Sequence, residues 1–304
     1  MKVFLLHIAL LFSLVGFSQQ DAIYSQYVFN PFAINPAYAG SRQSANVTMI
    51  NRNQWIGIEG APNTQTLSSH APSNQYPIAY GINISRDQLG PTTNFSALLT
   101  GVYNLKFETG ALNFGLRGGI FNTVLDHRKL QFRESNDQLD VQGRLSATVP
   151  TFDFGLYYYT ERMFVGLSMN HMTRHAFNLE QLANNQAYYL RRHTFLSGGY
   201  AWPINENFMF KPTVLLKFVE GSGFNADLNL NMLFKEKIWM GIGLRNVSSL
   251  NLLVDINLTD YIRVGYAYDL NLTQLNNYSY GSHEIVFGFD FNINKTTAPL
   301  PRYL

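Results

Sequence analysis

His171 and His175 stand four apart, the spacing that would put two imidazoles on one face of a helix to hold a metal. They fall instead where an alternating stretch runs into a polar one, so the expectation is two loop histidines. Gly166-Leu167-Ser168-Met169-Asn170 begins like a nucleophile elbow but lacks its second glycine, and the chain has neither a phosphate-binding loop nor a His-Glu-x-x-His. Asn225, Asp227, Asn229 and Asn231 space oxygen atoms as a calcium loop does, without its turn glycine or closing glutamate. Strand alternation accounts for them. The chain has no cysteine, which removes disulfides, thiolate metal sites, cysteine nucleophiles and a lipoprotein anchor, and suits an oxidising periplasm. The sequence therefore predicts no enzyme, no metal and no cofactor.

The chemistry left is charge on one face of a repeated pattern. Segments of about ten residues alternate apolar with polar or small side chains, the signature of a transmembrane β-barrel. In Phe224 to Phe234, Phe224, Ala226, Leu228, Leu230, Met232 and Phe234 share one face and Asn225, Asp227, Asn229 and Asn231 the other. Similar stripes occur at 78–84, 95–99, 112–116, 152–158, 250–258, 262–268 and 285–293. The polar faces collect Lys106, Arg117, Asp153, Lys217, Asp227, Arg245, Asp255, Arg263, Asp269, Glu284 and Asp290, and so predict a polar lumen of mixed sign. Such a mixture is structural more often than it is a selectivity filter. If Phe234 faces Ile238 across a three-residue turn, Asp227 faces Arg245. Water in the lumen would then keep their coupling near the exposed-pair value of about 1 kcal/mol or less.

The fold class expected is all-β: a transmembrane antiparallel barrel of about fourteen strands over 44–294. Short connections near 108, 160, 203–207, 235–237 and 259 alternate with long polar ones at 123–150, 173–191 and 271–282. Bacterial barrels place short turns in the periplasm and longer loops outside, and an even strand count puts both mature termini in the periplasm. Phe107, Tyr159, Phe164, Trp202, Phe208, Phe210, Phe234, Trp239 and Tyr261 fall near the short turns, where an aromatic girdle belongs. On this reading Leu230→Arg, facing lipid, should impair insertion far more than Asn229→Arg, facing water. A soluble propeller or sandwich is the structural rival.

Composition agrees with an exported membrane protein. Of 304 residues 46% are hydrophobic and only 14% charged, and a net charge of +2 without a polybasic patch argues against nucleic acid as a partner. Lys2, the apolar run Val3 to Phe17, and Gly16 and Ser18 at the positions a signal peptidase reads predict a secretory signal over 1–18. Residues 19–43 then form an N-terminal periplasmic or plug segment, and 295–304 a periplasmic tail. Outer-membrane lipid is the implied surroundings.

Before the first strand lies Tyr24 to Gly40, where the steps Asn30-Pro31 and Asn35-Pro36 exclude a strand and predict a chain of turns with aromatics between them. Asn35 to Ala37 has the letters of a water-channel signature, but that signature needs paired copies on half-helices and here there is one. The aromatics Tyr24, Tyr27, Phe29, Phe32 and Tyr38 are too many to leave in water. The segment is expected at the periplasmic end, as a plug or a docking platform. Candidate residues are Tyr24, Gln26, Asn30, Pro31, Asn35, Pro36, Tyr38 and Gly40, with Arg52, Gln54 and Trp55 after it.

Taken with Arg52-Asn53-Gln54-Trp55, Gly60-Ala61-Pro62-Asn63-Thr64 and Asp87-Gln88-Leu89-Gly90, this opening resembles the PorP/SprF family of outer-membrane proteins of the type IX secretion system. The resemblance covers the mature chain, specifically in its first hundred residues and diffusely after them. It implies service in secreting or attaching particular surface proteins, often adhesins with a C-terminal sorting domain, in some cases linked to gliding motility. It also implies partners in the periplasmic ring or peptidoglycan-linked parts of that machine. A passive porin or small-solute channel is the alternative that a polar lumen would favour.

Overall fold

The computed structural model describes residues 24–42, 44–130, 143–173, 176–177 and 188–292. The expected signal, the tail 295–304 and His175 lie outside them. Fourteen strands form one closed antiparallel barrel: β1 (Ser44–Asn53), β2 (Asn63–Pro72), β3 (Ile78–Leu89), β4 (Thr92–Lys106), β5 (Ala111–Asp126), β6 (Arg144–Tyr159), β7 (Met163–Asn170), β8 (His193–Tyr200), β9 (Phe208–Val219), β10 (Phe224–Phe234), β11 (Ile238–Arg245), β12 (Ser249–Asn257), β13 (Ile262–Asn271) and β14 (Ser282–Asn292). Trp202–Pro203 continues β8 beyond Ala201. Each strand pairs with its sequence neighbours, and β1 closes on β14 from Ser44 against Asn292 to Asn53 against His283. Closure leaves no open edge, which is what permits a sheet to stand in lipid. Among the described residues no helix is long and apolar enough to cross a membrane.

The alternation read from sequence sorts as expected. Leu99, Leu116, Phe152, Leu228, Leu230, Leu252 and Phe287 point out, and Thr100, Arg117, Asp153, Asp227, Asn229, Asn251 and Glu284 point in. Asp227 does oppose Arg245, with Phe234 opposite Ile238. Lys106 has inward parity but ends β4 and is exposed. β3 and β6 run further from the belt than expected, because β3 ends in Ser85-Arg86-Asp87-Gln88 and β6 begins in Arg144 to Thr148. At the end of β3 polar residues on both faces silence the hydrophobic pattern, whereas at the start of β6 the alternation is inverted, with Leu145, Ala147 and Val149 inward and Arg144, Ser146 and Thr148 outward.

Two expectations fail. The loop asymmetry is incomplete: 54–62, 127–143, 171–192 and 272–281 are long, but the same end also carries tight connections at 90–91, 220–223 and 246–248. In the last of these Asn246 and Val247 adopt positive φ, 46° and 55°, so a β-hairpin turn forms without glycine. The aromatic girdle also loses three members, since Trp239 and Phe164 are buried inside the barrel and Tyr159 packs inward beside Tyr157. Trp202 and Tyr261 remain outside near the short turns.

Leu230→Arg should lower folding into lipid vesicles by about 2 to 4 kcal/mol, read by urea titration. Asn229→Arg is no fair reference, because Asn229 is buried and its Nδ2 donates to the Tyr27 hydroxyl at 2.6 Å. Asn207→Arg, in an exposed short turn, should change little; equal losses for Leu230→Arg and Asn207→Arg would mean that the lipid face is misassigned.

Candidate functional site in the lumen

The segment expected to be a chain of turns is one, and it lies inside the barrel. Three single 3₁₀ turns follow each other, Ser25–Val28, Pro31–Ala33 and Pro36–Tyr38. Both prolines open a turn, where a missing N–H costs nothing, and Asn30 and Asn35 before them are held out of the helical region. The Asn35 side chain accepts from Ala37 N at 2.9 Å, closing the last turn, and Gly40 leaves at φ 76°.

Single turns satisfy few of their own backbone groups, so the barrel wall must satisfy the rest. Arg245 donates to the Tyr24 carbonyl, Arg263 to Phe29, Arg117 to Phe32, Ser168 to Ile34, and Asn113 to both Ala37 and Ala39, at 2.8 to 3.3 Å. Asn35 Nδ2 in turn donates to the Leu156 carbonyl of β6. The lumen side chains are therefore fitted to a polypeptide backbone.

One buried charge cluster lies toward the long-loop end. Arg52 pairs with Asp269 at 2.5 Å and Glu284 at 3.0 Å, and Arg245 with Asp227 at 2.8 Å. Two cations facing three carboxylates leave a deficit, which the segment makes good. Ser25 N and Gln26 N donate to the two oxygens of Glu284, and Ser25 Oγ donates to Asp269. Since Arg52 also donates to Ser25 Oγ, this buried cluster is complete only with the segment in place.

Apolar packing fixes the rest. Tyr27, Val28, Phe29 and Ile34 pack with Phe195, Leu215, Leu233, Trp239 and Leu253, and Phe29 meets Trp239 with ring centroids 5.8 Å apart. Phe32, Ala37 and Tyr38 pack with Val102, Tyr157 and Phe164. Inward-facing glycines give the backbone room: a Cβ on Gly115 would overlap the Ala37 main chain, and one on Gly155 would overlap the Asn35 side chain.

Tyr24, Gln26, Asn30, Pro31, Asn35, Pro36 and Tyr38 are thus buried together. The segment is not confined to the short-turn side as expected. Gly40 lies there, but Tyr24 bonds Thr66 and packs on Ile50 and Val286, toward the long-loop end. Of the residues grouped with it, only Arg52 touches it. Gln54 and Trp55 instead line a cavity of about 160 Å³ at the long-loop mouth, whose other walls include Arg52, Arg245, Asp269 and Asn271. The lumen charges pair as Asp227 with Arg245, Arg263 with Asp255 at 3.5 Å and Asp290 with Arg42 at 3.7 Å. The expectation of water screening fails for the first pair, whose side chains are only 7% and 12% exposed. His171 is the first residue of the loop after β7, as expected, but it is buried, with Nδ1 3.0 Å from Thr151 Oγ1. Among the described residues no group of three or more His, Asp or Glu is placed to hold a metal. Sequence reasoning missed Ser25, Asn113, Ser168 and the wall glycines; their signal was small or polar residues at inward parity beside no obvious partner.

A family model described as type IX secretion system membrane protein PorP/SprF matches residues 16–289. No curated protein sequence matches. Among solved structures, the chain is similar to the Acinetobacter baumannii outer membrane protein Omp33 at 9% identity and TM-score 0.47, covering 83% of this chain and 99% of that one. It is similar to the monoaromatic hydrocarbon channel CymD at 12% identity and TM-score 0.47, covering 91% and 94%. For the Pseudomonas putida toluene transporter TodX the values are 9%, 0.46, 90% and 95%. At these values the likeness carries no statement about this chain's cargo.

The double-mutant cycle of Asp227→Ala with Arg245→Ala should return a coupling above about 1 kcal/mol in urea titrations, because each single change leaves a buried charge without its partner. A coupling at or below that value would mean that water reaches the pair. Gly115→Val should dislodge the segment without unfolding the barrel. In a chain with no cysteine of its own, Ala37→Cys should resist maleimide alone and react once Gly115→Val is added; protection in both would show that the wall does not hold Ala37 as described.

Proposed function

The chain belongs to the PorP/SprF family of type IX secretion system membrane proteins, and from that premise we propose that it serves secretion as a closed outer-membrane scaffold rather than as a pore. The observation that carries this reading is the seated segment. Seventeen residues from Tyr24 to Gly40 fill the lumen, and wall donors along its length take up their carbonyls. A fourteen-stranded barrel is wider than the eight-stranded kind that side chains alone can fill, so without such a filling it would hold a water path. Here the filling is part of the fold.

A closed lumen leaves the two mouths to do the work. On this reading the short-turn mouth faces the periplasmic parts of the machine, and the long-loop mouth presents exposed aromatics, Tyr278 and Tyr280 among them, toward an exported surface protein such as an adhesin. The chain would be delivered to the outer membrane by its N-terminal signal.

The test combines conductance with export. In planar bilayers the intact protein should show no porin-like conductance, and the Gly115→Val, Gly155→Val double variant should conduct. In cells, a strain lacking the protein should lose particular proteins from its surface, and the intact chain should restore them. If the intact protein conducts like an open porin and its loss leaves the surface proteome unchanged, the small-solute channel replaces this reading.

A further inference from the structure

The short-turn end of the lumen carries an unbalanced charge. Lys211, fourth residue of β9, points inward and is 2% exposed. Its ammonium stands 5.7 Å from the centre of the Phe164 ring and 5.6 Å from that of Trp239, and among the described residues no carboxylate lies within ion-pair distance of it. The charges whose fields reach it most strongly are Arg42 and Arg263, both positive. Two carboxylates share this end, Asp290 and Asp255, and each already faces an arginine, Arg42 and Arg263 respectively. Among the described residues the balance of buried charge at this end is three cations to two anions.

Several donors here are also unused. Arg263 has no hydrogen bond at Nε or Nη2, and Arg42 Nη1 has only its ion pair with Asp290 at 3.7 Å. Arg263 lies over Gly288, where a Cβ would crowd its guanidinium, so β14 leaves that group room. Ring faces attract an ammonium, but by less than burial of an uncompensated charge costs. A charge so placed calls for a counter-ion. We propose that the short-turn end of the lumen holds a small anion, a halide or a carboxylate group, against the Lys211 ammonium, in the positive field of Arg263 and Arg42.

The site does not depend on the secretion role. It sits between Phe164 of β7 and Trp239 of β11, the rings on which the segment packs, so an anion there would lie beside the seat of the segment. Binding to the folded state alone raises stability with ligand concentration. For purified protein in detergent, the thermal midpoint should rise by about 5 °C between about 1 and 300 mM bromide or acetate. Gluconate at equal ionic strength, too large to enter, should leave it unchanged. Lys211→Met should abolish the dependence and, at the lowest bromide, be as stable as the parent or more so. If Lys211→Met fails to fold, the parent titration and an anomalous bromide peak beside Lys211 in crystals decide the matter. A parent midpoint equal in bromide and gluconate, with no such peak, would show an uncharged lysine packed between two rings and overturn the proposal.

Discussion

A polypeptide segment without a hydrogen-bond ladder cannot be buried unless something else meets its N–H and C=O groups. The rest of the lumen follows from that constraint. Tyr24 to Gly40 offers three isolated turns, broken by two prolines, and the wall answers with arginines, asparagines and a serine at the positions where carbonyls arrive. The charged groups that alternation places inside the barrel are thereby explained without a permeating ion. Arg117, for example, joins Asp153 at 2.7 Å and the Phe32 carbonyl at 3.1 Å in one buried arrangement.

The dependence runs both ways. Glu284 is fully buried, and of its donors Arg52 belongs to the wall while Ser25 N and Gln26 N belong to the segment. A barrel without the segment would leave this carboxylate short of partners unless water entered. Segment and wall are therefore fitted to each other, with the glycines of β5 and β6 as the geometric condition for their fit. The seat is graded along the axis: charge toward the long-loop end, aromatic packing against Trp239 and Phe164 lower down, and the cationic excess around Lys211 at the short-turn end.

The barrel architecture and the contents of its lumen are separate matters. Closure is how a sheet survives in lipid, and it constrains the outside of the barrel alone. What passes or does not pass is decided by side chains and by the segment, which the architecture does not dictate.

The sequence by itself determined the elements. Period-two alternation over fourteen stretches is a local property, so strands, faces and the Asp227 to Arg245 register could be read directly, as could the turns at Asn30-Pro31 and Asn35-Pro36. It was silent where polar residues occupy both faces, as at the end of β3, where the alternation inverts, as at the start of β6, and where a turn forms through Asn246 and Val247 without glycine. Only the tertiary structure decided what fills the lumen and how deep it reaches. Inward parity says that Trp239, Gly115 and Asn113 leave the lipid, but not whether water or protein meets them. The partners of that contact lie some 75 or more residues apart in sequence, as Asn113 and Ala37 do, and no local pattern encodes such a pairing.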